Sequence, residues 1–176
     1  TLSTGETVLS FDGTNDYVDC GNGSSLIMGA KDFSVGLWFK QNTANVSRAL
    51  VTKGHSFGGA PYDNLGWAIA ITSDTNNIWF DTYKAGQRSI TQSNKVFSSE
   101  ENGKWFHLVV TKSGTVGKIY INGQLNKSGN AVDIVEDSVY NVSIGVDLSR
   151  GGAFYFPGSF DDVRIYNRAL SADEIQ

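Results

Sequence analysis

Apolar side chains recur at every second position through most of this 176-residue chain, and a period of two marks a strand with one buried face. Phe33, Val35, Leu37 and Phe39 alternate with Ser34, Gly36, Trp38 and Lys40. Shorter runs repeat the pattern: Val8 to Phe11, Tyr17 to Cys20, Ala49 to Thr52, Trp67 to Ile71 and Ile78 to Tyr83. Trp105 to Thr111, Lys118 to Ile121, Val142 to Val146 and Phe160 to Tyr166 complete about ten strands. Turn signals such as Asp12-Gly13, Lys53-Gly54 and Asn122-Gly123 separate them. With no helical period between strands, the spacing predicts an all-β, antiparallel sandwich and argues against a parallel α/β sheet.

Two segments break the rhythm as long Gly-rich loops, His55 to Leu65 and Leu148 to Pro157, and loops of that length are often functional. Near the end, Ser171-Ala172-Asp173-Glu174 reads as a capping box, predicting a short C-terminal helical turn.

The charge pattern excludes several partners. The chain carries 14 basic and 18 acidic residues, a net charge of −4, and no Lys/Arg run, so it lacks the clustered cations that track a phosphate backbone. Nucleic acid is therefore not an expected partner. No apolar stretch approaches the roughly 20 residues of a membrane helix, so insertion is not expected either. The one cysteine, Cys20, rules out an intrachain disulfide and reads as an inert strand residue. The chain begins at Thr1 without Met, and the expectation is one domain over residues 1–176, excised from a larger protein.

Several segments in order resemble the laminin-G-like, concanavalin A-like jelly-roll domains of bacterial secreted and surface proteins. They are Leu9 to Val18, Asp32 to Phe39, Lys104 to Thr111, Ile119 to Leu125 and Gly158 to Ser171, the last followed by Asp173-Glu174-Ile175. The resemblance implies a two-sheet jelly roll in a secreted or cell-surface setting. It also implies a choice of roles, since such domains bind glycans, bind proteins, act as spacers or, in distant branches, hydrolyse polysaccharides. Fold analogy alone does not choose among them.

Asp12 and Asp16 flank the turn after the first strand, and Asp161 and Asp162 open the last long strand. If those strands are neighbours, up to four carboxylates converge at one rim, an arrangement that a hard cation such as Ca²⁺ neutralises. Similar domains carry a structural calcium at such a place. Alternation sets Asp161 on the side of Val163 and Ile165. The alternative is that Asp12 and Asp16 cap turns while Arg164 or Arg168 balances the later pair.

A glycan hydrolase of this broad fold needs two carboxyls facing each other on a central strand. The five glutamates, Glu6, Glu100, Glu101, Glu136 and Glu174, all lie at termini or in polar turns, so no catalytic residues are expected. In similar domains the position of His107 belongs to a structural strand after a Trp, and the resemblance implies a core hydrogen-bonding role for it.

Sugar binding needs an aromatic face for the C–H side of the ring and fixed polar groups for its hydroxyls. In Ile78 to Tyr83, alternation puts Ile78, Phe80 and Thr82 on one face and Trp79, Asp81 and Tyr83 on the other. With the first face in the core, the second exposes Trp79 and Tyr83 around Asp81, joined from nearby loops by Arg88, His55, Tyr62, Asn64 and Tyr155. The expected function is thus a non-catalytic binding module for a polysaccharide or glycan, with one structural Ca²⁺ and neighbouring domains as further partners. A structural or adhesive protein–protein domain of a surface or virion protein is the alternative, and an atypical glycan hydrolase the third.

Overall fold

The computed structural model describes residues 7–54, 65–133, 135 and 137–176. Among these residues, twelve strands form two six-stranded sheets, and every strand pair is antiparallel. The strands in chain order are β1 (Leu9–Asp12), β2 (Val18–Asp19), β3 (Phe33–Gln41), β4 (Arg48–Lys53), β5 (Gly66–Ile71), β6 (Asn77–Lys84) and β7 (Gln87–Val96), then β8 (Trp105–Ser113), β9 (Val116–Ile121), β10 (Gln124–Asn130), β11 (Val142–Ile144) and β12 (Pro157–Tyr166). The first sheet runs β1-β12-β3-β8-β9-β10 and the second β2-β11-β4-β5-β6-β7. This is the antiparallel sandwich that the alternation predicts and the two-sheet jelly roll that the resemblance implies.

Two strands escape a reading based on apolar period. β7 and β10 are polar and largely exposed, and they form the neighbouring edges of the two sheets. Side chains close that seam: Thr91 Oγ1 donates to the Asn130 carbonyl, and the Asn94 amide N–H donates to Asn126 Oδ1 at 2.8 Å.

The core lies between the sheets. Phe33, Val35, Leu37 and Phe39 of β3 meet Trp67, Ile69 and Ile71 of β5 and Ile78 and Phe80 of β6, all essentially inaccessible. Phe33 packs on Trp67 and Phe80 at centroid distances of 5.6 and 6.0 Å. Each such side chain contributes roughly 1.5–3 kcal/mol on burial, so these inward positions fix the register of both sheets.

The last strand carries a bulge. Its partners on β3 run Phe160↔Phe39 and Asp161↔Trp38, then skip to Arg164↔Gly36, and Asp162 adopts φ 48°. One extra residue reverses the phase of everything beyond it. Phe160, Val163 and Ile165 therefore all pack on the core, and Asp161 stands on the outer face with Trp38. The expectation that Asp161 shares a side with Val163 is thereby corrected.

Beyond Tyr166 the chain turns back over the outer face of its own sheet. Ser34 Oγ donates to the Arg168 carbonyl and accepts from the Leu170 N–H, each at 2.9 Å. The helical turn α1 (Ala172–Ile175) has the capping box read from the sequence, and Ile175 packs on Val109 and Tyr120.

Candidate functional site

The cluster expected on β6 does assemble, but as a closed unit. Trp79, Asp81 and Tyr83 lie on the outer side of the second sheet, opposite the inward Ile78 and Phe80. Arg88 of β7 donates to Asp81 Oδ2 at 2.8 Å, with its guanidinium 5.3 Å from the Trp79 ring centre and 5.6 Å from that of Tyr83. Asp81 and Tyr83 are 1 % and 2 % exposed, so neither presents itself to solvent as expected. Burial, reinforced by Asp81, pushes the Tyr83 hydroxyl far above its usual range. The aromatic face a sugar ring would need is taken by the guanidinium. Tyr155 is outside this cluster, its ring paired instead with Tyr17 at 6.5 Å. His55, Tyr62 and Asn64 lie outside the described residues.

The four aspartates do not converge. Asp12 pairs with Pro157 across β1 and β12, whereas Asp161 sits four residues further along β12, roughly 13 Å away. Asp12 Oδ1 accepts from the Thr14 N–H at 2.7 Å, and Asp16 Oδ2 accepts from the Asp12 N–H at 3.0 Å, so both cap their own turn. Asp161 Oδ1 accepts from the Asp162 N–H, and Asp162 pairs with Arg164 at 2.7 Å. Among the described residues, no group of three or more His, Cys, Asp or Glu side chains could hold a metal ion. The residues expected to bind calcium do not fit it as a set.

A different surface carries an open trough. On the outer face of the first sheet, Trp38, Trp105 and His107 line an open trough of ≈ 930 Å³, together with Asn122, Gly123, Gln124, Ile175 and Gln176. Register explains the assembly. Trp38 of β3 is directly opposite His107 of β8 and next to Asp161 of β12, while Lys40 is opposite Trp105 and next to Ser159. His107 is therefore not a core residue: Phe106 and Leu108 point inward and the imidazole points out, 5.1 Å from the Trp38 ring centre. Lys40 Nζ lies 5.2 Å from the centre of the Trp105 ring.

The polar groups around this floor are positioned by backbone. Asn122 (φ 50°) and Gly123 (φ 79°) form the two-residue turn between β9 and β10, a conformation that favours this residue pair. The Asn122 carboxamide oxygen accepts from the His107 backbone N–H at 2.9 Å, which fixes the side chain and turns its NH₂ away from that bond. Among the described residues, nothing hydrogen-bonds the indole nitrogens of Trp38 and Trp105 or the ring nitrogens of His107. Burial holds the His107 imidazole below its usual pKa, opposed by the nearby Asp162 and aided by Arg164. The α1 turn walls one long side, where Ile175 and Gln176 line the trough.

Sequence reasoning passed over this face because Trp38 and His107 each looked like one member of an ordinary alternation. The signal available was the pair of outward tryptophans on neighbouring strands.

The sequence family described as the concanavalin A-like lectin/glucanases superfamily matches residues 12–176. No curated protein matches the chain. Among solved structures, the CBM40 of the Ruminococcus gnavus IT-sialidase, bound to α2,3-sialyllactose, superposes with a TM-score of 0.70 at 16 % identity, covering 96 % of this chain and 93 % of that one. The NanB sialidase of Streptococcus pneumoniae gives 0.71 at 16 % identity, over 96 % of this chain and 26 % of that one. A SAP-like pentraxin from Limulus polyphemus gives 0.67 at 15 % identity, over 94 % and 78 %. At such identities the likeness is one of fold.

Proposed function

The chain belongs to the concanavalin A-like lectin/glucanase superfamily, and from that premise we propose that it is a non-catalytic carbohydrate-binding module acting outside the cell, with the Trp38–Trp105–His107 trough as its binding face. The observation that carries the reading is the pairing of outward aromatic rings with fixed, uncommitted polar groups. Sugar rings stack their C–H faces on indoles, and their hydroxyls are met by planar amides and carboxylates. Asn122 and Gln124 supply the amides and Asp161 the carboxylate, while Trp38 and Trp105 add free N–H donors. The likeness to the CBM40 that holds sialyllactose supports the class of ligand.

Hydrolysis is disfavoured by the same geometry. A glycosidase needs an acid and a second carboxylate flanking the bond. Of the acids near the floor, Asp162 is committed to Arg164 and Glu174 to Arg168, and among the described residues no carboxylate side chain lines the trough opposite Asp161.

Affinity electrophoresis in gels containing soluble polysaccharides tests the reading. The expected result is retardation by at least one of them, lost in Trp38→Ala while the far-ultraviolet circular dichroism stays unchanged. Retardation by none, or retardation that survives both Trp38→Ala and Trp105→Ala, would sink it. A protein–protein adhesion role would then take its place.

A further inference from the structure

We infer that the trough takes an internal stretch of a neutral glycan chain, laid obliquely across the strands, and not a single terminal or acidic sugar; this rests on the carbohydrate-binding reading above. Shape is the first argument. The register places Asp161, Trp38, His107 and Asn122 in one row across β12, β3, β8 and the β9–β10 turn. At the usual strand separation that row spans roughly 14 Å, longer than one sugar ring. At one end the neighbouring β1 carries the small, exposed Ser10 opposite Ser159, beside the Lys40–Trp105 row, and at the other lies the tight Asn122–Gly123 turn with the exposed Gln124 and with Gln176 against Gly123.

The floor is also stepped. Trp38 and His107 form one aromatic surface, and Trp105 forms a second, two residues further along β8. Two platforms support successive rings of a chain, whereas a lectin for a terminal sugar encloses one ring.

Charge is the second argument. An acidic sugar calls for a cation with donors to spare. Arg164 is committed to Asp162 at 2.7 Å. Lys40 leans over Trp105, and Asp161 stands beside Trp38, so a sugar carboxylate above that ring would meet another carboxylate. Lys40 and Asp161 offset each other in formal charge, so no cation is in surplus on the floor.

The test uses the purified chain with soluble xylan, a β-1,3-glucan and galactomannan as neutral probes, and polygalacturonate and sialyllactose as acidic ones. Titration calorimetry then follows the oligosaccharides of whichever neutral polymer is retained. The expected result is retention of a neutral polymer, an affinity rising about tenfold or more from disaccharide to tetrasaccharide (roughly 1.4 kcal/mol), and indifference to reduction of the chain end. In Trp105→Ala the gain with length is expected to shrink while disaccharide binding persists. A monosaccharide or sialyllactose bound as tightly as any polymer would overturn the inference and leave the carbohydrate reading standing. If no probe binds, both fall together.

Discussion

The Trp38 and His107 rings stack between β3 and β8, their centres 5.1 Å apart and their planes inclined by 31°. That contact joins two strands on the side facing away from the core, where ordinary packing gives no reason for an aromatic pair. It separates residues that build the sandwich from residues the sandwich displays, and the separation can be tested from both directions.

Trp79 belongs to the first group. Its ring is covered by Arg88, which is itself pinned by the buried Asp81. Trp79→Ala should lower unfolding stability by about 2–3 kcal/mol in urea and leave polysaccharide retention intact. Loss of retention at unchanged stability would return the binding face to β6.

The imidazole of His107 gives a pH dependence of known sign. Burial holds its folded-state pKa below the ordinary 6.5, so the unfolded chain takes up the proton first. Its contribution to stability is complete above about 6.5 and declines as pH falls from there toward the lower folded value. Thermal unfolding midpoints should therefore drop between about pH 7 and about pH 5 more in the natural chain than in His107→Gln. Equal drops in the two would refute this assignment.

At Asp12 the carboxylate oxygen accepts from the Thr14 N–H, a role that an amide oxygen can fill. Asp12→Asn should leave the melting temperature almost unchanged, and Asp12→Ala should cost about 1 kcal/mol, as loss of a comparable cap does. If Asp12→Asn is as damaging as Asp12→Ala, and a chelator damages the natural chain equally, the residue holds a metal after all.

Gly158 of β12 pairs with Gln41 of β3. A Cβ there would fall 2.1 Å from the Lys40 carbonyl oxygen and 2.5 Å from the Phe156 ring. Backbone cannot give way cheaply, so Gly158→Ala should cost about 1–3 kcal/mol by denaturant titration. Because Lys40 borders the trough, the same variant should also weaken retention. A variant as stable as the parent would show that the two strands have room to part.

The sandwich was legible because burial repeats. Phe33 to Phe39 and Ile78 to Phe80 announce their inward faces, and Ser171 with Glu174 announces the final turn. What stayed hidden depends on neighbours that sequence does not name. β7 and β10 are held by Thr91, Asn94 and Asn126 and not by apolar period. Alternation sets Tyr83 on the correct side of β6, yet the Arg88 guanidinium 5.6 Å from its ring centre and its burial at 2 % exposure are set by neighbouring strands. His107 was read as a core residue because only the β3 register reveals the indole it faces.

The spare residue at Asp161–Asp162 makes β12 behave as two half-strands of opposite phase. Removing Asp162 would close the bulge and leave Phe160, Val163 and Ile165 in strict alternation, opposite Phe39, Leu37 and Val35, with Arg164 and Tyr166 still outward. One more residue between Val163 and Arg164 would do the opposite and turn Ile165 away from the core. This stretch should therefore tolerate the loss of its spare residue and reject a further gain.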